Sequence, residues 1–196
     1  GTHGRSGLPR ILLGSVTEAV VQHGITPVLL VPAATTRPPA IGPYRRILVP
    51  LDGSRFAEGA LAYLVQEQLG HGAELLLLEA VPPAVTVVGH GPPWRDHDAQ
   101  LAAEQRLFDA REYLEDLGHH SLKGWAWRSH VAVGFAAKAI LDLAGAAGVD
   151  LVVMATHGDA ERARLAHGSV AGHVVHHGQV PLLILHGAPW GVARTA

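Results

Sequence analysis

The sequence predicts an α/β fold: an open, doubly wound sheet of five parallel strands with helices on both faces, plus an extra helix–strand fragment at the N-terminus. Three observations predict it. Strand-like apolar runs alternate with helical patterns from residue 44 to 187. Those runs are continuous rather than alternating, as in strands covered on both faces. The first 32 residues repeat a late stretch of the chain at a fixed offset of 154 residues, about one domain length.

The repeat sets the domain organisation. Residues 1–32 align without gaps to residues 155–186, with identities at 13 of 32 positions. Gly4/Gly158, Gly14/Gly168, Ser15/Ser169 and Pro27/Pro181 are among them. Residues 1–33 are therefore expected to be the C-terminal part of a first repeat: a loop, a helix and a strand. Residues 34–43, with Pro38-Pro39 and Gly42-Pro43, oppose both helix and sheet and form a linker. A complete domain is expected over 44–187, and 188–196 reads as a tail.

Within the complete domain, Arg46–Pro50 is a short apolar strand that ends at Pro50-Leu51-Asp52-Gly53-Ser54. Ser54 is placed to cap a helix with Ala57, Leu61, Leu64 and Val65 on its apolar side, ending near Gly70. Ala73–Val81 is the second strand, closed by Pro82-Pro83. Glycines and prolines over 84–96 predict an irregular excursion. A long helix follows over roughly 97–117, with Leu101, Leu107, Phe108, Leu114 and Leu117 expected inward. Lys123–Val131 is the third strand, and Trp125 and Trp127 share one of its faces. An Ala-rich helix spans Gly134–Ala147, and Asp150–Met154 is the fourth strand. A helix from Ser169 to about His177 leads to the fifth strand, Val180–Leu185.

Composition narrows the function. Fifteen Lys and Arg against seventeen Asp and Glu leave no basic face for nucleic acid. The absence of cysteine removes disulfides, zinc thiolates and a thiol nucleophile. No apolar run approaches the roughly 20 residues of a membrane span, so a cytoplasmic protein is expected. There is no G-x-S-x-G and no G-x-x-x-x-G-K-[ST], and the only lysines are Lys123 and Lys138. Efficient phosphoryl transfer normally requires such a lysine or a metal on the phosphates. Binding without efficient turnover is expected, with no catalytic residue assigned. Fourteen histidines raise the question of a metal. His173, His176 and His177 stand at i, i+3 and i+4 of a predicted helix, so two share a face. With no acid beside them in sequence, no metal site is expected.

In an open parallel sheet, ligands bind beyond the strand carboxyl ends, where the strand order reverses. Two such ends carry chemistry. Asp52 is a short acid suited to ribose hydroxyls, and equally to entering a helix beside Ser54. The loop Ala155-Thr156-His157-Gly158, followed nine residues later by Gly168-Ser169-Val170, leads into a helix N-terminus. Unpaired N–H groups there favour a phosphate, and Gly168 allows close approach of backbone to an anion.

Together these residues resemble the universal stress protein family. The carrying motifs are ILVPLDGS at 47–54, LLLLEAV at 75–81, GFAAKAILDLA at 134–144 and the G-x2-G-x9-G-[ST] loop. The resemblance covers 44–187, and residues 1–32 match the family's C-terminal third. It implies a Rossmann-like sheet of the adenine nucleotide alpha hydrolase-like type. It implies ATP or AMP, possibly with Mg, held by Pro50, Leu51, Asp52, Val81, Met154, Ala155, Gly158, Gly168, Ser169 and Val170. It also implies self-association through last strands, here Thr26–Pro32 against Val180–His186. Two features depart from the motif: its first glycine is Ala155, and Asp159 and Glu161 stand in the loop where the N-terminal copy has Arg5 and Gly7. These departures favour the alternative of an interaction module that has lost its nucleotide.

Overall fold

The computed structural model describes residues 26–32, 43–83, 93–156 and 169–186. In chain order the elements are β1 (Val28–Leu30), β2 (Arg46–Leu51), α1 (Arg55–Gln66), β3 (Glu74–Val81) and α2 (Pro93–Ser121). They continue with β4 (Ala126–Val133), α3 (Ala136–Ala146), β5 (Leu151–Thr156), α4 (Ser169–His177) and β6 (Leu182–His186). Parts of the predicted organisation lie outside the described residues: 1–25, most of the linker, the excursion at 84–92, the loop at 157–168 and the tail.

The described strands form one six-stranded sheet in the order β1-β6-β5-β2-β3-β4. Strands β2 to β6 are all parallel, as their unbroken apolar runs predict. The sixth strand is additional to the five expected over 44–187, and it lies within Thr26–Pro32, the stretch expected to pair with Val180–His186. β1, the strand of the N-terminal fragment, joins β6 in antiparallel register, with Val28 opposite Ile184, Leu29 opposite Leu183 and Leu30 opposite Leu182. In the sequence repeat, Val28 corresponds to Leu182 and Leu30 to Ile184. The pairing is therefore symmetric about Leu29 and Leu183, as two copies of one strand related by a two-fold axis would be. His186 Nδ1 lies 3.1 Å from the carbonyl oxygen of Thr26, just before this pair.

Two apolar clusters flank the sheet. On one face Ile47, Val49, Leu51, Leu75, Leu77 and Val153 pack against Leu61 and Leu64 of α1 and Leu114 of α2. On the other, Leu48, Leu76, Leu78, Val152, Met154 and Ile184 pack against Ile140 and Ala144 of α3 and Val174 of α4. Alternate residues of β2 and β3 thus serve opposite clusters, which is why these strands carry no polar alternation.

Helix α1 starts where its cap predicts: the Ser54 hydroxyl oxygen accepts the Ala57 N–H at 3.2 Å. Helix α2 departs from expectation. It is 29 residues long, about 43 Å at 1.5 Å per residue. The eight-residue strands beneath it reach only about 27 Å. Leu114 is fully buried, but Leu101 is 50% and Phe108 59% exposed, as a helix longer than the strands beneath it allows. Strand β4 begins three residues later than predicted, because a turn with the Trp125 N–H bonded to the Leu122 carbonyl uses the first residues. Trp125 and Trp127 both pack on the α1/α2 face, consistent with a covered tryptophan pair. The Trp127 ring lies where a Cβ on Gly118 would come within 2.6 Å, so glycine at this position lets α2 approach β4.

The amino end of the sheet is closely bonded. Asp150 is buried, and its Oδ2 accepts the backbone N–H groups of Arg45 at 2.8 Å and Arg46 at 3.1 Å. Arg46 Nε and Arg128 Nε both reach the Glu74 carboxylate, at 3.1 and 2.6 Å, tying β2, β3 and β4 together. Arg46 Nη1 also donates to the carbonyl of Ala147 at 2.6 Å.

Candidate functional site

The chain runs outward from β2 to β3 and β4, returns across the sheet to β5, and continues outward to β6. Strand order therefore reverses between β2 and β5, which pair directly through Ile47–Leu151 and Leu48–Val152. The crevice at this reversal opens at the carboxyl ends of the strands. Two features converge on that end. Asp52 follows the last residue of β2. Helix α4 starts at Ser169 and runs back toward the amino end to feed the parallel strand β6, so its N-terminus stands at the crevice.

Asp52 is exposed, and its Oδ1 accepts the Ser54 N–H at 3.0 Å. Gly53, at φ +73°, makes the turn into α1. The helix-start role foreseen for Asp52 is therefore real, yet it occupies only one carboxylate oxygen. The other makes no hydrogen bond among the described residues, so a ligand donor has an acceptor there. Pro50 is half-buried, and Leu51, 4% exposed, belongs to the α1/α2 cluster. Met154 is buried in the α3/α4 cluster, while Ala155, half-buried, packs on the opposite cluster. Val170 packs against the α3/α4 cluster. Val81 is buried, and its carbonyl accepts the Gly134 N–H at 2.9 Å, joining the end of β3 to the turn after β4. Gly158 and Gly168 lie outside the described residues.

The sequence reading missed Glu79. In register it sits opposite Leu51 on one side and Val131 on the other, so it belongs to the same carboxyl-end layer as Asp52. Its Oε2 is out of solvent and has no hydrogen-bond partner among the described residues. Burial raises its pKa above the ordinary carboxyl value, and the negative charge of Asp52 raises it further. Tyr113, which interacts electrostatically with Glu79, donates its hydroxyl to Glu58 Oε1 at 3.2 Å instead. Burial and then Glu58 raise the Tyr113 pKa, so it remains a protonated donor. Next along β4, the Ser129 hydroxyl donates to Glu115 Oε1. The available sequence signal was a single acid in the run Leu75-Leu76-Leu77-Leu78-Glu79-Ala80-Val81.

The arrangement can accept hydrogen bonds at Asp52 and present helix N–H groups at α4. A sequence model of the universal stress protein family matches residues 1–32 and 43–186. The chain belongs to the universal stress protein family. A universal stress protein of Mycobacterium tuberculosis is 28% identical over 188 residues, covering 94% of this chain and 59% of its own length. The chain thus spans about three-fifths of the curated relatives it first matches. A universal stress protein structure from Archaeoglobus fulgidus superimposes with a TM-score of 0.61 at 23% identity, covering 90% of this chain and 55% of that one. A family member from Arabidopsis thaliana, solved with AMP bound, gives a TM-score of 0.50 at 14% identity, covering 74% of this chain and 92% of that one. At these identities the structural likeness carries the fold alone. Among the described residues no helix is long and apolar enough to cross a membrane.

Proposed function

We propose that this universal stress protein binds an adenine nucleotide, ATP or AMP, in the crevice between β2 and β5, and acts in a cytoplasmic stress or signalling response. The observation that carries this reading is the strand-order reversal with Asp52 on one lip and the N-terminus of α4 on the other. The free Asp52 oxygen accepts a ribose hydroxyl. The phosphates lie toward Gly168, Ser169 and Val170, where helix N–H groups and the helix dipole favour negative charge. Asp52 and Glu79 reinforce that orientation, because two acids on the β2–β3 side repel phosphate there. The AMP-bound Arabidopsis relative adds support from the same fold. Turnover is not part of the proposal. Lys138 is paired with Asp142, and Lys123 lies in the turn before β4, at the amino end.

Purified protein is denatured, and the supernatant is examined for adenine nucleotide by mass spectrometry. Wild-type protein is also melted with and without millimolar Mg-ATP or AMP. Released nucleotide or a rise in Tm supports the reading, since occupied sites stabilise the fold. Neither effect from any adenine nucleotide sinks it. Gly168→Val is expected to abolish binding while leaving the fold intact.

One observation favours a second reading, an interaction module of the same family. The β1–β6 pairing is nearly self-symmetric, so β1 occupies the edge that a second copy's β6 would use. In this reading the fragment protects an edge strand. Removing residues 1–33 is expected to give a dimer by sedimentation or light scattering. A deletion variant that stays monomeric and equally stable would count against it.

A further inference from the structure

The structure places His173 and His177 one turn apart on α4, with ring centroids 4.3 Å apart and ring planes tilted by 40°. Both are exposed. Their rings touch each other, and neither makes a hydrogen bond or ion pair among the described residues. Four other histidines of the described chain are engaged. His71 packs edge-on against Trp125, and His119 against Trp127. His120 Nδ1 lies 2.7 Å from the Asp116 carbonyl, and His186 meets Thr26.

We propose that His173 and His177 form an open chelate for a divalent transition-metal ion, with copper(II) the favoured occupant. The spacing suits it. With metal–nitrogen bonds of roughly 2.1 Å and N–metal–N angles of about 90–110°, two imidazole centroids lie about 4.6–5.3 Å apart. The observed 4.3 Å separation needs an opening of less than about 1 Å, within reach of side-chain rotation at exposed positions. Because the rings already share one face of a helix, little freedom is lost on chelation. His177 stands in the last turn of α4, where the negative end of the helix dipole favours a cation.

The donor set selects the metal. α4 has no carboxylate, so magnesium and calcium, which require oxygen ligands, are disfavoured. Two neutral imidazoles suit copper, nickel and zinc, and copper(II) binds most tightly in that series. No group of three metal-ligating side chains occurs among the described residues. Water therefore completes the coordination sphere, and the bound ion stays open to exchange. The pair is also separate from the candidate nucleotide site. Eight residues of helix put His177 about 12 Å from Ser169, so neither reading depends on the other.

The full-length chain is titrated with aqueous copper(II) by calorimetry at pH 7.5, beside His173→Ala, His177→Ala and, as a control, His120→Ala. The two α4 variants are expected to lose one binding event per chain, or to weaken it by about tenfold or more. The control should match wild type. Binding should weaken toward pH 5, where protons compete for both imidazoles. Zinc(II) should bind at the same pair more weakly. Copper-induced NMR broadening should centre on residues 172–178 and vanish in His177→Ala. If both α4 variants bind copper as wild type does, or if broadening centres elsewhere, the proposal is overturned. All three substitutions are on exposed positions, so unfolding does not confound the comparison.

Discussion

The two ends of the sheet treat their acids in opposite ways. At the amino end, Asp150 accepts two backbone N–H groups, and Glu74 receives Arg46 and Arg128. At the carboxyl end, Asp52 keeps one oxygen free, and Glu79 holds a buried oxygen with no partner among the described residues. The first arrangement is what stability alone selects, because each charge meets a donor. The second carries a cost that folding does not require. Unsatisfied polar groups persist where a surrounding structure holds them for another purpose. The contrast is what the proposed reading expects, with the ligand at the carboxyl end.

The strongest test of the contrast is at the amino end. Asp150→Ala removes the acceptor of two backbone donors at the start of β2 and leaves them without it in a partly buried setting. A loss of about 1–3 kcal/mol is expected by urea denaturation, given the cost of orphaned buried donors. A neutral outcome would mean that this end is not the anchored one.

Glu79→Gln should change stability in the opposite direction. The folded state raises the Glu79 pKa, first by burial and then through Asp52. Between the ordinary carboxyl value and that raised value the folded state binds more protons than the unfolded chain. Stability from this group is therefore present in acid and declines as pH rises through that window. Glutamine removes the ionisable group, so the variant should gain about 2–4 °C in Tm near pH 7. Near pH 4, where both wild-type states are protonated, the gain should vanish. An equal gain at both pH values would assign the effect to packing rather than charge. In the reading proposed above, the same substitution weakens the acidic lip and should narrow any preference for ligands with fewer phosphates.

These two residues also mark what the sequence could convey. The parallel strands were legible because Ile47–Val49, Leu75–Leu78 and Leu151–Met154 are unbroken apolar runs. The Ser54 cap and the start of α4 at Ser169 were legible because local chemistry determines them. Asp52 was visible at a strand end, together with both of its possible roles. Asp150 read only as the first residue of a strand. Its partners, Arg45 and Arg46, lie more than 100 residues away, and no local pattern encodes that contact. Glu79 was visible as an acid, but its burial without a partner among the described residues is a tertiary outcome that no local pattern encodes. Leu101 and Phe108 were misplaced for a geometric reason: periodicity identifies a helix face but not the length of sheet available to cover it.

The smallest expected effect concerns Glu74, which joins Arg46 and Arg128 across three strands at the amino end. The Arg46 and Arg128 side chains are 47% and 70% exposed, so Glu74→Gln should cost below about 1 kcal/mol, and the cost should shrink in high salt. A more specific readout lies further along β4. His130 titrates below the ordinary imidazole value, because burial and the positive charge of Arg128 oppose its protonation, while Glu74 partly restores it. Removing the Glu74 charge leaves Arg128 unopposed, so the NMR titration of His130 should move further down. For wild type, the unfolded chain takes up this proton first as pH falls from about 6.5, so stability falls in that direction. Glu74→Gln should make that loss larger between about pH 6.5 and 5, relative to wild type under the same conditions. A His130 titration unchanged by the substitution would show that Glu74 ties the strands together without shaping the local field. The amino end would then be a set of separate contacts rather than a coupled network.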